Sequence, residues 1–255
     1  MFNKLFENIE PNSVDLSGFA VQTDLNDKLW HNEKLDKNAR LMLLEISLEF
    51  LEDAEIDEFV DITMTGSLAN YNWNETYSDI DLHIIVDSSS ISDDPEIAKS
   101  YFNEKRFNWN TLHDKLKIYN YPVEIYVQDI NEPHTSTGVY SLIKNDWIIK
   151  PDIKNLKDTS NKSHIKYGVS AYCNMIDNLI STLDTNNDKQ TAERLLNIAN
   201  SLFDSIKNER KESLSSTKYG ELTTGNILFK YLRRNGYLEK LSKFKRKCFD
   251  IIHSL

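Results

Sequence analysis

Apolar and polar residues alternate along the chain with two different periods, which divide the sequence into two parts. Up to about residue 155, apolar runs with a period of two predict strands at 59–65, 80–86 and 121–128 and a hairpin over 138–150 that turns at 144–146. Beyond Pro151 the apolar spacing is helical only. We therefore predict an α+β fold, with a mixed β-sheet and flanking helices over residues 1–155 and a C-terminal all-α bundle over 156–255.

Two helices are predicted within the first part. Leucines recur at helical spacing over residues 37–54, and Asp36 is placed to cap the first turn. Asp94 before Pro95 predicts a second helix, because a capping carboxylate followed by proline suits the first helical positions, and this helix continues to about residue 117. Before Asp36 we predict irregular structure. The predicted buried stripe of the first helix consists of Leu41, Leu44, Leu48 and Leu51.

Four helices are predicted in the second part, and the polar stretch 156–163 before them is the predicted domain boundary. The helices span 162–183, 189–214, 223–235 and 237–253, the last two separated by Gly236. The predicted buried positions are Ile165, Val169, Tyr172, Ile176, Leu179 and Leu183 in the first helix and Ala192, Leu195, Ala199, Leu202 and Ile206 in the second.

The net charge of the 255-residue chain is −10, and it is spread unevenly. From Asp204 onward there are 12 Lys or Arg against 6 Asp or Glu, a balance of +6, so the preceding residues carry 18 against 34, or −16. A nucleic-acid partner requires a basic surface, and only this C-terminal tail offers one. Solvated helix faces explain the same residues equally well.

The sequence contains no targeting or disulfide signal. Cys173 and Cys248 match neither a zinc spacing nor a disulfide framework, and we predict that both are reduced packing residues. No apolar run approaches the roughly 20 residues of a membrane span, and MFNKLFENIE lacks the basic start and apolar centre of a signal peptide. We therefore expect a cytoplasmic protein.

Three carboxylates are the strongest chemical signal. Because side chains alternate faces along a strand, Asp79, Asp81 and His83 project to one side of the strand at 80–86. Two carboxylates about 6 to 7 Å apart repel each other, and a divalent cation removes the cost of placing them together. If the strand at 121–128 lies beside this one, Glu124 reaches the same patch, and three oxygen ligands suit Mg²⁺.

Gly66 and Ser67 follow the strand at 59–65 and complete the predicted site. Glycine lets the backbone approach a phosphate closely, and exposed amides at the start of a short helix can hold phosphate oxygens together with the serine hydroxyl. Carboxylates for Mg²⁺ beside a phosphate turn are suited to a nucleoside triphosphate.

The whole arrangement resembles the nucleotidyltransferase superfamily typified by DNA polymerase beta. The shared pattern is a strand, Gly-Ser, eleven residues, an aspartate pair opening the next strand, and a carboxylate on a later strand. SDIDLHIIVD looks closest to small bacterial and phage members. More narrowly, LNDKLW, TGSLANYNW, VEIYVQD and TGVYSLIKNDWIIKP, with GELTTGNILFKYLRRNGYLEKL near the end, resemble nucleotidyltransferases of undefined function from large tailed phages.

The resemblance implies a nucleotidyltransferase sheet with two Mg²⁺ ions bridged by Asp79 and Asp81, Glu124 holding the second ion, and an NTP, with ATP favoured, on Gly66 and Ser67. It also implies the host cell cytoplasm if the protein is encoded by a phage. The chain departs from the minimal members, which often continue Gly-Ser with Arg and Gly, because Leu-Ala-Asn-Tyr follows here. That difference argues against an arginine contact to phosphate from this loop and leaves the metal site unaffected.

Related enzymes close a second domain over the nucleotide and place Lys or Tyr on the triphosphate. In this chain Lys162, Lys166 and Tyr167 begin the helical part and are candidates for that role, although a solvated first helical turn explains them as well. His83 is either a hydrogen-bonding neighbour of the carboxylates or a catalytic residue. The aromatic residues before the aspartate pair either stack on a base or pack under a loop; they are Tyr71, Trp73 and Tyr77.

Three functions remain open at this level. The favoured one is transfer of a nucleoside monophosphate from NTP to a hydroxyl of a small molecule or protein, since the acidic front would repel a polyanionic acceptor. The second is an RNA or tRNA terminal transferase whose basic tail holds the RNA backbone. The third is a non-catalytic binding module of the antitoxin kind, against which three intact carboxylates argue.

Overall fold

The structure, a computed structural model, describes residues 8–216 and 220–254. The chain forms two compact units, of which one is Ala20–Leu156 and the other combines the residues up to Phe19 with those from Lys157 onward. Parts of two predicted segments lie outside the described residues: residues 1–7 of the irregular N-terminal segment, and Lys218 of the basic tail. Among the described helices, none combines the length and the apolar character needed to cross a lipid bilayer.

A six-stranded mixed sheet is the centre of the unit Ala20–Leu156. Its elements, with a separate two-stranded hairpin formed by β1 and β2, are β1 Trp30–His31, β2 Lys34–Leu35, α1 Lys37–Asp53, β3 Asp61–Thr65, β4 Ile80–Val86, α2 Pro95–Leu112, β5 Lys117–Ile118, β6 Tyr121–Asp129, β7 Val139–Ser141 and β8 Asp146–Ile149. The strand order of the sheet is β5-β6-β4-β3-β7-β8. Only β4 and β6 are parallel neighbours; the other pairs are antiparallel. The predicted mixed α+β fold is confirmed.

Both helices of this unit begin where the capping residues predict. The Asp36 carboxylate accepts hydrogen bonds from the backbone N–H groups of Asn38 and Ala39, at 3.0 and 2.9 Å. The Asp94 carboxylate accepts one from the Glu96 N–H at 2.9 Å, with Pro95 in the first turn. Each carboxylate satisfies backbone donors that have no partner inside the helix.

The buried face of α1 differs from the predicted leucine stripe. Leu41 and Leu48 are 45% and 55% exposed, whereas Leu43 and Phe50 are fully buried. The Phe50 ring meets the Trp109 ring of α2 edge-on, with centroids 5.6 Å apart, so the two helices share one apolar layer against the sheet. Leu51 is buried and Leu44 packs against the core, so the prediction is right for these two leucines and wrong for Leu41 and Leu48.

In the sheet, alternation over most of β4 and β6 supplies the other half of this core. Ile80, Leu82 and Ile84 of β4 are buried, as are the alternate residues of β6, and the polar residues between them lie on the opposite face. At the outer side of β6 the Asn110 side-chain amide of α2 pairs with both backbone groups of Ile125, at 3.0 Å each. The Asn110 side chain therefore satisfies the backbone groups at this edge of β6 in place of a neighbouring strand.

The described part of the second unit contains four α-helices: α3 Lys162–Thr185, α4 Lys189–Ser215, α5 Thr224–Arg234 and α6 Tyr237–His253. All five positions predicted to be buried on α4 are buried, and so are those on α3 except Tyr172, which is partly buried. Gly236, with φ of 74°, turns the chain between α5 and α6. Cys173 and Cys248 are buried without a disulfide, and burial raises the pKa of the Cys173 thiol to about 12.

The described N-terminal residues belong with the helical unit. The Ile9 N–H donates to the Asn174 side chain at 2.8 Å, and the Ile9 carbonyl accepts hydrogen bonds from Asn174 and Ser170. These contacts explain why the residues before Ala20, predicted to lie within the first domain, group with α3 instead. The division into a catalytic and a helical domain in the functional sense stays a prediction.

Candidate metal centre

The parallel pairing of β4 and β6 brings the three predicted carboxylates together. Asp81 is the direct register partner of Glu124, and Asp79 stands just before β4 on the same side as Asp81. One carboxylate oxygen from each of the three residues lies within 4.8 Å of the other two. Asp79 and Asp81 are half-buried and Glu124 is exposed, so the cluster opens to solvent on the Glu124 side.

Three carboxylates at these distances can hold a metal ion. Their negative charges oppose one another, and a cation between them converts that repulsion into attraction. The donor atoms are all hard oxygens, which suit Mg²⁺ and similar ions better than the softer metals bound by Cys or His. This chemistry of the donor set fits the predicted Mg²⁺.

Gly66 connects the predicted phosphate turn to the candidate metal ligands. It has φ of 75° and ψ of −160°, a conformation that favours glycine strongly. A Cβ atom placed there would lie 1.7 Å from Asp81 Oδ2, which no side chain can do. The Asp81 carboxylate therefore packs directly against the Gly66 backbone, at the point where β3 ends beside β4.

Ser67 begins a single turn of 3-10 helix, and its hydroxyl is hydrogen bonded to that of Ser78 at 2.8 Å. Ser78 Oγ also accepts the backbone N–H of Asn74 at 2.9 Å. Ser67 is half-buried, whereas Ser78 is only 4% exposed and immediately precedes Asp79. The turn at Gly66 and the start of the aspartate strand are thus joined by side chains as well as by the sheet.

His83 lies on the carboxylate face, two residues after Asp81, and takes part in a hydrogen-bond chain. Its Nδ1 is 2.8 Å from Gln128 Oε1, and Gln128 Nε2 donates to the Glu132 carbonyl at 2.9 Å. Because the Gln128 amide must present its oxygen to the ring, His83 Nδ1 carries the proton. Burial is the main cause that lowers the pKa of His83, so the ring is neutral at pH 7.

Of the three aromatic residues before the aspartates, Trp73 has a packing role. Its ring packs against the apolar core of the sheet unit, and its Nε1 donates to the Asp24 carbonyl at 2.9 Å. Tyr71 is partly buried and its carbonyl accepts the Gln22 N–H, while Tyr77 is exposed. The packing interpretation is the one that the contacts of Trp73 favour.

The remaining predicted phosphate ligands belong to the helical unit. Lys162, Lys166 and Tyr167 lie in the first turns of α3, where Lys162 is 3.7 Å from the Asp158 carboxylate and Tyr167 is 67% exposed. The structure thus brings together Gly66, Ser67 and the three carboxylates within one unit; a phosphate-binding role for the α3 residues stays a prediction.

Two residues of the site escape sequence reasoning. Ser78 offers no signal by itself, since serine before an aspartate is common in turns and only the fold brings it to Ser67. Asn110 lies in the last turn of α2, and only the packing of α2 against β6 gives it a role. No local pattern reveals either contact, because each depends on two segments meeting in space.

No protein-family profile matches the chain, and no curated protein matches it. A solved structure of the STING-associated CdnE c-di-GMP synthase from Capnocytophaga granulosa is similar at 14% identity, over 87% of this chain and 83% of that chain, with a TM-score of 0.21. At this TM-score the likeness carries no argument about the fold or the activity of this chain. The resemblance to phage proteins stays a prediction.

Proposed function

We propose that this protein is a Mg²⁺-dependent nucleotidyltransferase that moves a nucleoside monophosphate from an NTP, with ATP favoured, to a hydroxyl group of a small molecule or protein. The observation that carries the proposal is the convergence of Asp79, Asp81 and Glu124 within 4.8 Å, with Asp81 packed against the Gly66 turn. A metal site beside a turn suited to phosphate is what a triphosphate substrate requires.

In the proposed reaction the acceptor oxygen attacks the α-phosphorus, and the bond from that phosphorus to the bridging oxygen breaks as pyrophosphate leaves. Asp79, Asp81 and Glu124 would hold two Mg²⁺ ions, with Glu124 the most exposed of the three carboxylates. When bound, such ions lower the pKa of an acceptor hydroxyl and neutralise the charge that develops on pyrophosphate. Glu124 is also placed to accept the proton of the hydroxyl.

Gly66 and Ser67 would position the triphosphate. At Gly66 the absence of a side chain leaves the room that the Asp81 carboxylate occupies, so a candidate metal ligand lies directly against the turn that would hold a phosphate oxygen. The Ser67 hydroxyl, which is half-exposed, would donate to a phosphate oxygen. Both residues would act on binding and orientation and take no part in proton transfer.

The test is to incubate the purified protein with Mg²⁺ and NTPs labelled at the α or the γ phosphate, alone and with a bacterial lysate. Label from the α position is expected on an acceptor, and label from the γ position in pyrophosphate. Asp79→Asn, Asp81→Asn and Glu124→Gln should each lower the rate by about 10³-fold, the loss expected for several kcal/mol of charge stabilisation. Transfer that survives in all three variants, or γ label on the acceptor, would refute the proposal.

A further inference from the structure

We infer that Ser78 is a positioning residue, which orients the Ser67 hydroxyl so that its proton points to a phosphate oxygen of the bound nucleotide. This inference rests on the proposed function and identifies a residue that acts through Ser67 and has no contact of its own with the substrate. It follows from the number of protons that the two hydroxyl groups can share.

Each serine hydroxyl has one proton to donate and can accept from other donors. Ser78 Oγ already accepts the Asn74 N–H, and among the described residues its other hydrogen-bond partner is Ser67 Oγ. If Ser67 were the donor, the Ser78 proton would have no acceptor in a position that is only 4% exposed. A buried donor without an acceptor is unfavourable, so Ser78 donates and Ser67 accepts.

This assignment leaves the Ser67 proton for a ligand. Ser67 is half-exposed and stands next to Gly66, whose backbone touches the Asp81 carboxylate. A hydroxyl whose oxygen already accepts one hydrogen bond has its proton directed away from that donor, and polarisation by Ser78 makes it a better donor. A phosphate oxygen near the Gly66 turn is the natural acceptor for it.

The turn that holds Ser78 is itself well fixed. The Asn74 side chain accepts the backbone N–H groups of Thr76 and Tyr77, at 2.9 and 3.1 Å, and the Asn74 carbonyl accepts the Ser78 N–H at 3.1 Å. The Ser78 oxygen is therefore held in place before any nucleotide binds, which reduces the entropy lost on binding.

A double-mutant cycle tests the inference. The probe is α,β-methylene-ATP with Mg²⁺, which cannot react by α-phosphorus transfer, and its dissociation constant is measured by calorimetry for wild type, Ser67→Ala, Ser78→Ala and the double variant. We expect each single variant to bind about tenfold more weakly, as for the loss of a hydrogen bond to a charged group. The double variant should bind no more weakly than Ser67→Ala, because Ser78 acts only through Ser67.

Thr76→Ala is the matched control, since it removes an exposed hydroxyl from the same turn and should leave the affinity unchanged. Ser78→Cys, nearly the same size but a weak donor, supplies the comparison if Ser78→Ala fails to fold, and it should also weaken binding. The inference is overturned if the Ser78 variants bind the probe as tightly as wild type does. It is also overturned if Ser78→Ala lowers the affinity of the Ser67→Ala variant by the same factor by which it lowers the affinity of wild type. In both cases the proposed function stands, whereas a wild-type protein that does not bind the probe overturns both.

Discussion

Two glycines share a positive φ and differ in ψ and in their surroundings, which makes them a useful comparison at the scale of single residues. Gly66 has φ of 75° and Gly236 has φ of 74°. A Cβ atom at Gly66 would overlap the Asp81 carboxylate, whereas one at Gly236 would meet nothing within 4 Å. Substitution by alanine therefore strains the backbone at both positions but displaces a candidate metal ligand at only one.

We accordingly expect Gly66→Ala to lower the affinity for Mg²⁺ by about 10- to 100-fold, the range seen when groups that orient metal ligands are changed. Gly236→Ala should lower the free energy of unfolding by about 1 kcal/mol, as a left-handed alanine does, and leave the affinity for the ion unchanged. Calorimetric titration with Mg²⁺ and urea unfolding measure the two effects. Equal ion affinities in the two variants would contradict the geometry described for Asp81.

His83 predicts a dependence of stability on pH. Burial lowers the pKa of His83 in the folded chain below its ordinary value of 6.5, so the unfolded chain binds a proton more readily. Stability is therefore fully present above about pH 6.5 and is lost as the pH falls from there towards the folded pKa. Urea unfolding at a series of pH values, with a chelator present, should show this loss of stability for wild type and a smaller loss for His83→Gln. If the free energy of unfolding of the two proteins depended on pH in the same way, the burial described for His83 would be contradicted.

At the scale of elements, the identity of a helix is easier to predict than its buried face. The bounds of α1 agree with the prediction because Asp36 supplies a chemical start signal. The face was predicted only in part: Leu44 and Leu51 lie on the core, whereas Leu41 and Leu48 are exposed. The side that meets the sheet includes Ser47, whose hydroxyl donates to the Leu43 carbonyl at 2.8 Å. Because a local hydrogen bond lets this serine be buried, the face that meets the core looks partly polar in the sequence.

The buried face of α1 can be tested by comparing leucines of the same helix. Leu43→Ala removes a fully buried side chain and should lower the free energy of unfolding by about 2 to 5 kcal/mol. Leu48→Ala, at a position 55% exposed, should change it by less than about 0.5 kcal/mol. Urea unfolding of the two variants gives the comparison directly, and similar losses would show that both faces are packed.

The described strands that the sequence did not predict have two residues each. β1 and β2 are joined through Asn32 and Glu33, both with positive φ, and β5 meets β6 through Tyr119 and Asn120, also with positive φ. Such turns are usually recognised in a sequence by Asn-Gly or Asp-Gly, and neither of these two turns contains glycine. By contrast β4 was predicted to the residue, since apolar and polar residues alternate over its first five positions and a continuous apolar run completes it.

Asn110 joins α2 to the strand that carries the candidate ligand Glu124. Its amide pairs with both backbone groups of Ile125, the residue after Glu124, so it fixes the edge of β6 beside a candidate ligand. Asn110→Ala leaves those two groups without their partner, and we expect a loss of about 1 to 3 kcal/mol in the free energy of unfolding. Hydrogen exchange should also quicken at the Ile125 amide more than at core amides of β4; unchanged exchange there would exclude the pairing.

At the scale of the whole molecule, the basic tail is less basic than its sequence suggests. Lys240 and Lys247 of α6 lie 3.2 and 2.7 Å from the carboxylates of Asp177 and Asp184 on α3, and Lys243 pairs with Glu239. Lys245 lies over the Phe203 ring of α4. Although exposed ion pairs add little stability, each cancels a charge that a polyanion would otherwise meet. Three lysines of the tail are therefore paired with carboxylates, which lowers the positive charge that the tail offers to RNA.

Because these lysines are paired, we expect the protein to bind RNA only weakly. With labelled tRNA and 150 mM salt, fluorescence anisotropy should show no binding tighter than about 10⁻⁵ M, within the range of non-specific association. Asp177→Asn with Asp184→Asn frees two lysines and should strengthen binding at low salt, with a steeper salt dependence. Asp93→Asn with Asp114→Asn makes the same change in net charge on exposed residues of the sheet unit and should leave the affinity almost unaltered. Tight wild-type binding that weakens steeply with salt would restore the RNA transferase as the acceptor hypothesis, because the tail would then contact phosphates in spite of its ion pairs.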